Sequence, residues 1–110
     1  MKKYLISILL IGSLTANAQK IFSVPYGSQA DVKVYVVKYE SQADLKVFKV
    51  PYESQAKGNG GNWFFTKYPS QAKKKIFFVS HESQADLKIV FVGNRSQAGW
   101  RKREKLYVME

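Results

Sequence analysis

The tripeptide Ser-Gln-Ala constrains the fold of this chain more than any other feature. It occurs six times, starting at Ser28, Ser41, Ser54, Ser70, Ser83 and Ser96, at intervals of 13, 13, 16, 13 and 13 residues. The one long interval carries an insertion, Gly58-Asn59-Gly60-Gly61-Asn62. Each unit reads roughly S-Q-A-D-L-K-V-F-x-V-x-Y-E. A unit this short cannot bury an apolar face alone, so the units must pack on one another in a regular array.

Superposing the units gives columns of constant chemistry. Ile21, Val34, Val47, Trp63, Ile76 and Ile89 fill one apolar column, and Phe22, Tyr35, Phe48, Phe64, Phe77 and Val90 fill the next. Val24, Val37, Val50, Thr66, Val79 and Val92 follow two residues on, and then come Tyr26, Tyr39, Tyr52 and Tyr68. Alternation within a unit has the period of a strand: Lys46, Phe48, Val50 and Tyr52 share one face, Leu45 and Val47 the other. Apolar residues occur on both faces, which predicts strands covered on both sides and aromatic columns that belong to the core. The expected fold is all-β, a compact domain of about seven short strands joined by the connectors at 28–30, 41–43, 54–56, 70–72, 83–85 and 96–98. A half-unit at residues 20–27 opens the array and Leu106–Met109 is the expected closing strand. Ser followed three residues later by Asp has capping-box spacing, so each connector reads as a one-turn cap built from its own side chains.

The first residues stand apart from the array. Met1-Lys2-Lys3 is basic, Leu5 to Leu14 is mostly apolar, and Ala16-Asn17-Ala18 is a small-x-small site, the order of a secretory signal peptide over residues 1–18. The apolar run is about half the roughly 20 residues of a spanning helix, so no membrane span is expected. The expectation is therefore an exported bacterial protein, periplasmic or extracellular, with one domain over residues 19–110. There is no cysteine. Disulfides and thiolate metal sites are excluded, and core packing must hold the domain.

With the units aligned, the chain resembles the septoil-knot family of small bacterial repeat proteins. The resemblance rests on Tyr39 to Tyr52, on Glu82 to Phe91, and on the interruption Gly58 to Phe65 with its Trp-Phe-Phe. It implies a compact β-rich monomer whose backbone is tied in a deep seven-crossing torus knot; it carries over no activity and no functional residues. The chain departs from the family pattern in its leader, in Lys73-Lys74-Lys75, and in the basic segment after Trp100.

Candidate chemistry is sparse, and no catalytic residue, metal ligand or cofactor is expected. The single histidine, His81, falls in the tyrosine column and reads as a flat, half-polar substitute there. Its neighbour Glu82 points to the opposite face of an extended chain and is a poor catalytic partner. Asp31, Asp44, Asp86, Glu40, Glu53 and Glu82 recur by repeat position, which argues for turn chemistry and for pairing of the aspartates with Lys33, Lys46 and Lys88 rather than for a hydrolytic carboxylate pair. The glycine insertion lacks the Gly-Lys-Ser/Thr of a phosphate loop and reads as a hairpin.

The basic departures remain. The chain carries +10 overall, and without Lys2 and Lys3 it has 16 Lys and Arg against 8 Asp and Glu. Lys73, Lys74, Lys75, Arg95, Arg101, Lys102, Arg103 and Lys105 are the candidate anion-binding residues, with Trp100 beside them. Lysines near an aromatic can hold phosphate in a salt-sensitive, sequence-independent way. The alternative is a solvated, frayed C-terminal end that discourages edge pairing. The expected function is that of a non-enzymatic exported scaffold domain whose role and partner the sequence leaves open, with an anionic polymer or envelope surface as the candidate partner of the basic clusters. The competing readings are a curli-like fibre subunit, and an envelope enzyme or inhibitor with a loop-built site.

Overall fold

The computed structural model describes residues 18–110; the leader expected at the N-terminus lies, up to Asn17, outside the described residues. Seven strands run β1 (Lys20–Ser23), β2 (Val32–Val36), β3 (Leu45–Lys49), β4 (Asn62–Phe65), β5 (Lys74–Phe78), β6 (Leu87–Phe91) and β7 (Gly99–Trp100). The sheet order is β4-β1-β5-β2-β6-β3-β7, and β4 also pairs with β3, which closes the first six strands into a barrel. Those six are parallel throughout, and only β7 is antiparallel, against the start of β3.

The register is uniform. Ile21 lies beside Phe65 and Lys74, Val34 beside Phe78 and Leu87, and Val47 beside Phe91, so each joint is staggered by two residues and the circuit by twelve. With roughly 3.3 Å per residue and 4.7 Å between strands, that stagger tilts the strands by about 55° from the barrel axis. At this tilt, equivalent residues of all six units lie at the same height. The sequence columns therefore become rings.

Three rings point inward. The middle one is Ile21, Val34, Val47, Trp63, Ile76 and Ile89, every member fully buried, as the column pattern predicts. Below it lie Gln19, Val32, Leu45, Gly61, Lys74 and Leu87, and above it Ser23, Val36, Lys49, Phe65, Phe78 and Phe91. Gly61 sits in the lower ring with φ 93°, and a Cβ there would overlap the Lys46 carbonyl oxygen. Glycine is required because the chain must pass that close, and this insertion joins two parallel strands rather than forming a hairpin.

The connections explain the outer column. Strand β1 ends at Ser23 and β2 starts at Val32, a link of eight residues, shorter than the dozen or more of an ordinary parallel crossover. A steeply tilted five-residue strand climbs only about 10 Å along the axis, so the return path is short. Each link runs outside the strand that it skips: the 3-10 turn Gly27–Gln29 packs on β5, the turn Glu82–Gln84 on β2, and Arg95–Gln97 on β3. Ala43 packs in the same way against Val90 of β6. The outward aromatics are half-buried beneath these links, and the strands are thus covered on both faces. Strands β5 and β6 also thread beneath links that precede them in sequence. The second circuit of the chain is woven through the first.

The turns differ from the expected caps. In every unit the Gln N–H donates to the carbonyl three residues back and the Ala N–H does the same, as in Gln42 to Tyr39 (3.0 Å) and Ala43 to Glu40 (3.1 Å). The six serines are exposed and the aspartates work elsewhere. Asp44 N–H donates to the Lys88 carbonyl (2.8 Å) while Asp44 Oδ2 accepts from the Lys88 N–H (2.8 Å). Asp31 clasps Lys75, and Asp86 clasps Lys33, in the same manner. The carboxylate staples its strand to the next one, instead of capping its own turn or pairing with a lysine two residues on. Lys73 keeps the backbone bond, to the Lys20 carbonyl (2.8 Å), but brings no carboxylate.

Two further expectations are corrected. Residues 103–109 form a 3-10 helix and not a closing strand, which is instead Gly99–Trp100. The tyrosine column is not core: Tyr26, Tyr39, Tyr52 and Tyr68 each start a turn with the ring in solvent. His81 takes the same position before the turn Glu82–Gln84.

Candidate functional site

The places where the repeat breaks come together at one end of the barrel, where the strands begin. The C-terminal helix Arg103–Met109 lies across that end and drives Met109, fully buried, into the core cluster with Trp63 and Leu45. The plug is tied down at several points. Gln19 Nε2 donates to the Met109 carbonyl (3.1 Å) and Asn59 Nδ2 to the Leu106 carbonyl (3.1 Å). The Trp100 indole N–H donates to the Asn59 carbonyl (2.7 Å). Asp44 anchors the other side: its carbonyl accepts from the Arg101 and Lys102 N–H groups, and its buried carboxylate lies 3.8 Å from Lys102 Nζ and 3.4 Å from Lys105 Nζ. Removed from water, that carboxylate needs the nearby ammonium groups.

Between the insertion, the lysine run and the C-terminus lies a cleft of about 320 Å³ lined by Gln19, Gly58, Asn59, Lys73, Met109 and Glu110. Gln19 Oε1 and Asn59 Oδ1 are buried and accept from no protein donor. With an ammonium and a carboxylate both on its wall, the cleft has no preference for anions. It offers no nucleophile–base pair, and among the described residues no group of His, Asp and Glu is arranged to hold a metal.

The candidate anion-binding residues do not form one patch. Arg101 Nη1 donates to the Ser41 (2.9 Å) and Ala43 (3.2 Å) carbonyls, and Arg95 Nη2 to the Gln55 carbonyl (3.3 Å). Lys102 and Lys105 face Asp44, and Lys105 also reaches the Asp86 carbonyl (3.4 Å). Arg103 is exposed. The triple lysine is divided by strand alternation: Lys74 occupies the lower inner ring, while Lys75 points outward beside Phe22 and Lys73 borders the cleft. The C-terminal basic segment is a structural plug and not a frayed end.

Sequence reasoning missed the opposite end. There the upper inner ring is only partly covered. Val36 is 42% and Phe78 36% exposed, and Lys49 Nζ stands 4.5 Å from the ring centre of Phe91 and 5.5 Å from that of Phe65. Two residues further along the units comes an exposed rim: Pro25, Lys38, Pro51, Lys67, Ser80 and Gly93. Neither ring contains an acidic residue. Two of the three turn glutamates reach back to the outer wall, where Glu53 pairs with Lys20 (2.9 Å) and Glu82 with Lys88 (3.2 Å), while Glu40, two residues after Lys38, is exposed. The signal was present in the columns, as three lysines at positions that are apolar or small in the other units.

A family model described as the 7(1) septoil knot domain matches residues 18–101. The chain belongs to the septoil-knot family. The interleaved circuits and the links running outside later strands are the arrangement that such a knot requires, whereas chains that thread their own loops are otherwise very rare. The match ends at Arg101, so the plug helix lies beyond it. No curated protein and no solved structure matches the chain. No helix among the described residues is long and apolar enough to cross a membrane.

Proposed function

We propose that this septoil-knot protein is an exported, non-enzymatic binding module that engages anionic surfaces or polymers. The observation that carries this reading is the segregation of charge. Asp31, Asp44 and Asp86 are consumed as strand staples at the plugged end, and Glu53 and Glu82 are paired on the outer wall. Lys38, Lys49 and Lys67 stand at the other end without a carboxylate among them. Three lysines are thus gathered at one end of the barrel, in two rings that hold no carboxylate, a local arrangement that draws in polyanions. Export is supported by the leader pattern of residues 1–18.

The test is retention on a heparin column. Retention that collapses with modest salt is expected, since released counterions drive such contacts. Flow-through at low salt would remove the reading. A fibre subunit is disfavoured by the closed barrel, which leaves no long open edge for a second copy to extend.

A further inference from the structure

We propose that the open end of the barrel seats on an anionic lipid bilayer, with its lysines against the phosphates and its exposed apolar side chains against the acyl boundary. This deepens the anionic-surface reading and rests on it. A soluble polyanion would use only Lys38, Lys49 and Lys67. It would leave unexplained why Val36 and Phe78, which occupy inward-facing positions, stay 42% and 36% exposed while the two rings beneath them are closed over. It would equally leave unexplained the exposure of Tyr26, Tyr39, Tyr52 and Tyr68, at 66%, 64%, 68% and 59%.

These tyrosines come one residue after the rim positions, where each link turns from the open end onto the outer wall. Tyrosine, with an apolar ring and a polar tip, concentrates at the headgroup level of membranes. Lysine stems extend the same division, laying methylenes along the aromatics and ammonium groups toward phosphate. Lys49 places its ammonium over the Phe65 and Phe91 rings, which puts charge and aromatic faces together at this end. An apolar centre, a cationic rim and outer tyrosines form the cross-section of an interfacial anchor. The uniform stagger of the strands makes that end planar.

The test uses residues 19–110, which carry the whole barrel and plug, with phosphatidylglycerol–phosphatidylcholine vesicles against phosphatidylcholine alone. Sedimentation with the anionic vesicles and not the neutral ones is expected. Lys38→Gln with Lys67→Gln should weaken binding about thirty-fold, at about fivefold for each lysine near an anionic surface. Phe78→Ser should weaken vesicle binding about fivefold and leave heparin retention unchanged. In a second measurement, Phe78→Trp should show a blue shift of its emission on anionic vesicles, and Tyr107→Trp, at the plugged end, should not. Heparin retention without vesicle binding overturns the bilayer proposal and leaves the broader reading standing, while loss of both removes both. A shift at Tyr107→Trp instead of Phe78→Trp, or a dimer in light scattering that buries the open end, also overturns it.

Discussion

At the strand-start end of the barrel, Asp31, Asp44 and Asp86 clasp backbone groups of neighbouring strands and a helix carrying Met109 closes the core; at the strand-finish end, the last inward ring leaves Val36, Lys49 and Phe78 in contact with solvent. Both ends come from the same repeat and share one stagger. They differ in what the sequence adds to the repeat. Residues outside the repeat, the insertion and the C-terminal segment, were added at the first end and serve stability. At the second, substitutions within the repeat replace apolar or small residues by lysine, and no carboxylate compensates them. Basic charge alone therefore says little about binding: Lys102 and Lys105 offset a buried carboxylate, while Lys38 and Lys67 are exposed in a ring without one.

The largest expected effect breaks the first end. Removing residues 102–110 withdraws Met109 from the core together with the Gln19 and Asn59 hydrogen bonds and both Asp44 ion pairs, and should cost more than about 4 kcal/mol in urea unfolding. Met109→Ala alone should cost about 2–4 kcal/mol, in line with truncation of a fully buried side chain. A loss near zero would mean that the helix rests on the barrel without sealing it.

Asp44→Ala should cost about 2–3 kcal/mol, since it leaves the partly buried Lys88 N–H unpaired and Lys102 and Lys105 without their counter-charge. Asp31→Ala removes the same staple at an exposed site and should cost about 1 kcal/mol. The difference between the two isolates what the plug adds to a staple, and equal values would show that it adds nothing. At the open end Phe78→Ser should cost about 1–2 kcal/mol, less than truncation of a fully buried side chain, because Phe78 is 36% exposed. A cost comparable to that of Met109→Ala would show that the open end is core after all.

Much of the scaffold was legible in the sequence because strand alternation and a 13-residue period are local signals. The fully buried ring from Ile21 to Ile89 stood out as one column, and the six turns stood where Ser-Gln-Ala stood. The aspartate staples were not legible: Asp44 meets Lys88 across 44 residues and Asp86 meets Lys33 across 53, and spacing within a unit says nothing of which strand will lie alongside. The exposure of the tyrosines was hidden for a related reason. Alternation assigns a residue to a face but does not show where the chain leaves the sheet, and Tyr39 comes just after it has left. Leu106-Tyr107-Val108-Met109 fits a strand by composition; its helical form follows from lying across a closed barrel end that offers no free edge. The triple lysine suggested a patch because its residues are adjacent, yet adjacency in a strand is what separates Lys74 from Lys73 and Lys75.

The difference between the ends can be measured directly by removing the same two charges from each. Lys38→Gln with Lys67→Gln should elute from heparin at markedly lower salt than the unaltered protein, with its urea midpoint nearly unchanged. Lys102→Gln with Lys105→Gln should elute close to the unaltered protein and unfold at lower urea. If the Lys102 and Lys105 pair lowers heparin retention as much as the Lys38 and Lys67 pair, the basic tail is a binding site and the division of labour between the two ends is wrong.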